Sequence, residues 1–168
     1  MNDRPTDFAG LLKQLLDTGV EFILVGGLAG NVHGAARATY HVDIVYRRTP
    51  DNLRRLTDAL APLQPYLRGA PPGLPFVLDV ETLARGLNFT LRTTLGDLDL
   101  LGEVTGGGTF DALVSDTIGI TLFGVECRCV SLETLIRLKQ AAGRPKDLEA
   151  MYEEQDGSQG GPFHLPIQ

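Results

Sequence analysis

Phe8, Leu11, Leu12, Leu15 and Leu16 recur at the spacing of a helix with one apolar face, and Gly19 ends the run. Phe22 to Val25 then reads as a short apolar strand. Leu28 to Val32 begins the next helix, closed near Gly34, and Val42 to Tyr46 gives a second strand. Thr49-Pro50-Asp51 opens another helix with proline in its first turn, carrying Leu53, Leu56 and Leu60 inward. Asp79 caps a short helix through Ala84. Phe89 to Thr93 and Asp97 to Gly102 follow as paired strands joined near Leu95-Gly96. Ile118 to Phe123 and Val125 to Val130 alternate around Gly124 as a hairpin. Ser131 caps a helix running to Ala142, Gly143 stops it, and Pro145 starts a last helix through about Glu154.

Three segments break this pattern. Pro62 to Pro75 is dense in proline and glycine and reads as a long loop, either a cover for a ligand site or a surface excursion. Gly106-Gly107-Gly108 lacks the following Lys and Ser or Thr of a phosphate-binding P-loop and reads as a flexible turn. Asp156 to Gln168 has little periodicity and is expected to be disordered unless its apolar Pro162 to Ile167 docks on the body or on a sister chain. The division expected is therefore one domain over 1–155 and a tail over 156–168, with a homo-oligomer as one consequence if the tail docks between chains.

The 168 residues suffice for one domain that buries about 70% of its unfolded surface. No apolar run approaches the roughly twenty residues of a membrane span, and the first residues lack a secretory signal pattern, so a cytoplasmic protein without a membrane partner is expected. A net charge of −6 argues against nonspecific nucleic-acid binding. The charge is unevenly spread: Arg37, Arg47, Arg48, Arg54 and Arg55 cluster, while acids gather from Asp97 to Asp116. That asymmetry suits RNA or a triphosphate beside a metal site, or simply a solvated helix face. Cys127 and Cys129 lie two apart on one strand face, expected to be buried, and without another cysteine pair or a nearby histidine no zinc site is expected there.

Chemistry concentrates in Val25-Gly26-Gly27, thirteen further residues, and His41-Val42-Asp43-Ile44. A double-glycine turn after a strand lets backbone amides and a helix N-terminus approach phosphate oxygens. Acids at alternate strand positions share a face and can hold hard divalent cations against those phosphates. Asp43 sits in an otherwise apolar strand, where a cation or a salt bridge to Arg37 must offset its burial. Asp99 stands among Leu98, Leu100 and Leu101 with the same logic, and Asp97 shares its face as the alternate site carboxylate. His33, just before Gly34, reads as a packing or capping residue rather than a catalytic one.

Gly26, Gly27, Asp43, the segment Arg37-Ala38-Thr39, the strand around Asp99, and the run from Lys139 to Asp147 occur in the order seen in minimal nucleotidyltransferases, and over about residues 8–154 the chain resembles the DNA polymerase β superfamily. The resemblance implies an α/β fold with a mixed, largely antiparallel sheet flanked by helices. It implies transfer of a nucleoside monophosphate from an NTP to a hydroxyl of RNA, protein or a small molecule, with Mg2+ or Mn2+ as cofactor. Gly26, Gly27, Arg37, Lys139, Arg144 and Lys146 would then contact the nucleotide phosphates, while Asp43 and Asp99 would be the catalytic, metal-holding acids. Small relatives of this kind include toxins of bacterial toxin-antitoxin systems, which implies a cognate antitoxin as partner. His41 departs from the pattern, standing where the family has its first acid. An imidazole there weakens a magnesium site and suits manganese better. The same departure fits a catalytically degenerate fold that binds a nucleotide or a partner.

Overall fold

The computed structural model describes residues 4–143. Within them the chain is a mixed α/β protein of six α-helices and a seven-stranded, mostly antiparallel sheet flanked by helices. The elements run α1 (Phe8–Asp17), β1 (Phe22–Val25), α2 (Gly26–Val32), β2 (His41–Tyr46), α3 (Pro50–Leu60), β3 (Tyr66–Leu67), α4 (Val80–Arg85) and β4 (Asn88–Thr93). They continue with β5 (Gly96–Leu101), β6 (Glu103–Val104), β7 (Gly108–Thr109), α5 (Phe110–Leu113), β8 (Thr117–Leu122), β9 (Val125–Val130) and α6 (Leu132–Ala142). The sheet order is β3-β4-β5-β2-β1-β9-β8, and β6 and β7 form a separate hairpin. No helix among the described residues is long and apolar enough to cross a membrane.

Local chemistry sets the helix starts. The side chains of Asp7, Thr49, Asp79 and Ser131 accept hydrogen bonds from the backbone amides of Gly10, Asn52, Thr82 and Thr134, satisfying donors that the first helical turn leaves orphaned. Gly143 closes α6 in the left-handed conformation. The packing core joins Leu11, Leu12 and Leu15 of α1 to Leu24, Ile44, Leu56 and Leu100, all fully buried or nearly so. Buried Asn52 accepts from the Glu21 amide at 2.7 Å and donates to the carbonyls of Glu21 and Arg47 at 3.0 and 2.7 Å, which clamps the start of β1 to the end of β2. With its amide so satisfied, this polar group is tolerated in the core.

Two pairings position the site. β1 and β2 run antiparallel with Val25 opposite Asp43, while β2 and β5 run parallel with His41 opposite Asp97 and Asp43 opposite Asp99. Side chains alternate along a strand, so Val42, Ile44, Leu98 and Leu100 go fully into the core while His41, Asp43 and Asp99 emerge together on the other face.

Three expectations change. The segment from Pro62 to Pro75 is not all loop: it holds a 3-10 turn at Ala61–Leu63 and the edge strand β3, whose Tyr66 and Leu67 pair with Arg92 and Leu91. A two-residue strand between prolines carries no period of its own and exists through its pairing with β4. The triple glycine is a turn, but a packed one, because a Cβ on Gly106 or Gly107 would collide with Ala141 or Leu138 of α6. The second helix starts at Gly26 rather than Leu28, so the double glycine is its first turn. The expected helix after Pro145 and the tail 156–168 lie outside the described residues, as do Arg144 and Lys146.

Candidate metal centre

Asp43 and Asp99 reach one point from neighbouring parallel strands, and His41 joins them from two residues before Asp43. His41 Nε2 lies 3.1 Å from Asp43 Oδ1 and 3.5 Å from Asp99 Oδ2. One ligand atom from each of the three falls within 4.8 Å of the others, a compact nitrogen and two-oxygen set. Their chemistry fits a divalent cation: two hard carboxylate oxygens and an imidazole suit manganese or a similar transition ion better than magnesium.

The acids strain against one another electrostatically. Burial, and then the charge of Asp43 beside it, push the Asp99 carboxyl up to about 6. The hydrogen bond to Asp43 raises the His41 pKa, outweighing the opposing effect of its own burial. Bringing a positive charge among these groups relieves the repulsion, whether it comes from a protonated imidazole or from a bound cation.

Gly26 and Gly27 bring the backbone up to this cluster. Gly26 has φ +71°, and a Cβ there would overlap the Asp43 carboxylate. A Cβ on Gly27 would come to 2.9 Å from Thr39 Oγ1. The α2 backbone therefore sits against the acid with no side chain between them. Around this turn opens a cavity of about 470 Å³ lined by Gly26, Gly27, Arg37, Asp43, Asp99 and Lys139, with Lys139 contributed by the last turn of α6. Beside it a second cavity of about 570 Å³ is lined by Arg4, Phe8, Arg92 and Asp97, and Thr39 and Tyr40 border both.

The structure thus gathers Gly26, Gly27, Arg37, His41, Asp43, Asp99 and Lys139 around one opening. Asp97 is set apart: it lies 3.6 Å from both Arg68 Nε and Arg92 Nε and outside the three-donor cluster, so Asp99 rather than the alternate meets Asp43. The arginine-rich stretch does not form one anion-binding face. Arg47 pairs with Glu21 and Asp111, Arg54 pairs with Asp51, and Arg48 donates to Tyr46 Oη and the carbonyls of Leu83 and Ala84. His33 meets the Val130 carbonyl at 2.8 Å, tying α2 to β9. Cys127 and Cys129 are free and buried, with burial pushing the Cys129 thiol up to about 12.

Sequence reasoning missed Arg68. Its guanidinium hydrogen-bonds Asp99 Oδ1 and donates to the Leu91 carbonyl at 3.3 Å. One signal was present: Arg68 is the only charged residue between Pro62 and Pro75. No protein-family model and no curated protein matches this chain.

Proposed function

We propose that this protein is a metal-dependent nucleotidyltransferase with the minimal fold of the DNA polymerase β superfamily, moving a nucleoside monophosphate from an NTP to a hydroxyl. The observation that carries the reading is the convergence of Asp43, Asp99 and His41 beside the Gly26-Gly27 turn, in a cavity that also holds Arg37 and Lys139. His41, Asp43 and Asp99 would hold the cation, Mn2+ in preference to Mg2+, which when bound supplies charge neutralisation at the phosphates. Gly26 and Gly27 bring the first turn of α2 against Asp43 and Thr39, which would set its backbone beside the phosphates. Arg37 and Lys139 bring positive charge to the same cavity, Arg37 as a planar fork and Lys139 as a point charge.

In the reaction the acceptor oxygen bonds to the α-phosphorus as the bond from that phosphorus to the bridging oxygen breaks. Pyrophosphate departs with the electron pair, and the acceptor's proton passes to solvent. The cavity bordered by Thr39 and Tyr40 adjoins the donor cavity and is the place for the acceptor, which we take to be RNA, with protein and small-molecule hydroxyls as the other classes. A toxin-type role with a cognate antitoxin is the biological setting suggested by the resemblance.

The test is incorporation of α-phosphate-labelled NTPs into RNA and protein fractions with Mn2+ or Mg2+, comparing the natural chain with Asp43→Ala. Transfer that requires Asp43 supports the reading; equal labelling by the mutant, or none with either metal and any acceptor class, removes it.

A second reading has its own observation: His41 already lies against both acids, and Arg68 pairs with Asp99. A fold so satisfied can serve as a catalytically degenerate nucleotide-binding or partner-binding protein. Tight NTP binding with no transfer would favour it.

A further inference from the structure

Arg68 answers a question that the three-donor cluster raises, namely how many cations the site takes. It extends from the edge of the sheet, where its amide donates to the Thr90 carbonyl at 3.0 Å and so prolongs the β3 ladder by one residue. From there its side chain crosses β4 and reaches β5. Its guanidinium bonds Asp99 Oδ1, lies 3.6 Å from Asp97 Oδ2, and is anchored by the Leu91 carbonyl. The side chain is only 24% exposed.

A pair of cations sharing one site needs carboxylates that bridge, one oxygen to each. Here each donor is restricted. His41 offers a single nitrogen to the cluster. Asp99 has Oδ1 committed to Arg68, so only Oδ2 faces His41. Asp43 turns Oδ1 to His41, and its Oδ2 fills the space beside Gly26 where a side chain would stand. Charge leads to the same count: Asp43 and Asp99 bring two negative charges, the Arg68 guanidinium offsets one, and Asp97 is shared with Arg92. Arginine keeps its charge at any working pH and its planar fork holds a carboxylate in fixed orientation, so this offset is permanent.

We infer that this is a one-cation site in which Arg68 permanently occupies the Asp99 oxygen that a second divalent ion would need. The inference rests on the metal-binding reading above and assigns Arg68 the role of a fixed positive partner to Asp99. It orients Asp99 so that a single oxygen serves the cation, and it leaves the other oxygen unavailable to a second one.

The experiment counts Mn2+ bound per chain by titration monitored by electron paramagnetic resonance, without nucleotide, for the full natural chain, Arg68→Ala and Arg68→Lys, with Asp43→Ala as the control that removes the site. The expected counts are one for the natural chain, two for Arg68→Ala, one for Arg68→Lys and none for Asp43→Ala. Two ions on the natural chain, or one still on a folded Arg68→Ala, overturns the inference while leaving the metal reading in place. No ion on any of the four overturns both. If Arg68→Ala fails to fold, the natural chain and Arg68→Lys decide alone, because two ions on either one defeats the assignment.

Discussion

Gly26 and Asp43 occupy complementary space: the carboxylate of the acid fills the position that a side chain on the glycine would take. This relationship crosses from β1 to β2, where Val25, the residue before the glycine, is the register partner of Asp43. The glycine is required twice over, by its φ of +71° and by the acid against it.

Gly26→Ala should therefore destabilise the protein by about 1–3 kcal/mol from the left-handed backbone alone, with displacement of Asp43 added to it. At about 2–4 °C per kcal/mol for a chain of this size, the melting temperature should fall by several degrees. Mn2+ affinity should fall with it. Gly27→Ala has a milder conflict, with Thr39 Oγ1, and should lose less of both. Thermal melts and Mn2+ titrations of the two variants check the order, and equal behaviour would contradict the fit described here.

The protonation of the cluster gives a pH dependence of unusual sign. Asp99 rises from an ordinary 3.8 to about 6, so its contribution to stability is fully present below 3.8 and lost as pH rises through about 6. His41 rises from 6.5, so its contribution is fully present below 6.5 and lost as pH climbs through its higher folded value. Asp79 moves the other way, lowered by its hydrogen bonds to Thr82, but acts only below 3.8. The metal-free protein should be more stable near pH 5 than near pH 8, by on the order of 1 kcal/mol. Asp99→Asn should flatten that difference. Denaturant midpoints across this range in the presence of a chelator measure it, and a midpoint that rises with pH would show that the acids do not repel as described.

Much of this arrangement is legible in the sequence, for identifiable reasons. Helix starts at Thr49, Asp79 and Ser131 depend on local capping chemistry, and strands such as Val42 to Tyr46 depend on apolar runs, so both read from neighbouring residues. Asp43 and Asp99 stood out because each is an acid in an apolar strand. Alternation also puts an acid of β5 on the face of Asp43, once β2 and β5 are neighbours. What local pattern cannot carry is contact between distant segments. Strand β3 exists only through β4, and Arg68 becomes a site residue only because that edge pairing aims it across β4 at Asp99. The choice of Asp99 over Asp97 required the same information, since the two acids share a face and differ only in register with His41 and Asp43.

His41 tests which ion the cluster favours. The imidazole supplies one nitrogen and, hydrogen-bonded to Asp43, competes as a positive charge when protonated. His41→Asp replaces it with a third hard oxygen donor and adds negative charge. Mg2+ affinity should rise at least ten-fold, given that even residues supporting metal ligands change affinity by about 10–100-fold. The metal-free variant should be less stable than the natural chain, because three acids then face one another. Calorimetric titration with Mg2+ and Mn2+ measures both preferences, and an unchanged ratio between the two ions would show that His41 is not a donor.

Tyr40 tests whether the second cavity receives an acceptor. Tyr40 is 76% exposed, although its carbonyl accepts from Thr6 Oγ1 at 2.6 Å, so an aromatic residue stands at the border of both cavities without being needed for packing. An exposed ring beside Arg4 and Arg92 suits a nucleobase, for which stacking contributes about 1–3 kcal/mol. If RNA is the acceptor, Tyr40→Ala should raise the acceptor KM by about ten-fold or more while leaving NTP affinity, Mn2+ affinity and the melting temperature nearly unchanged, and Tyr40→Phe should restore it. Steady-state kinetics with saturating NTP separate these effects. A KM unmoved by Tyr40→Ala would place the acceptor elsewhere, and a loss of NTP affinity would move Tyr40 to the donor side of the metal cluster.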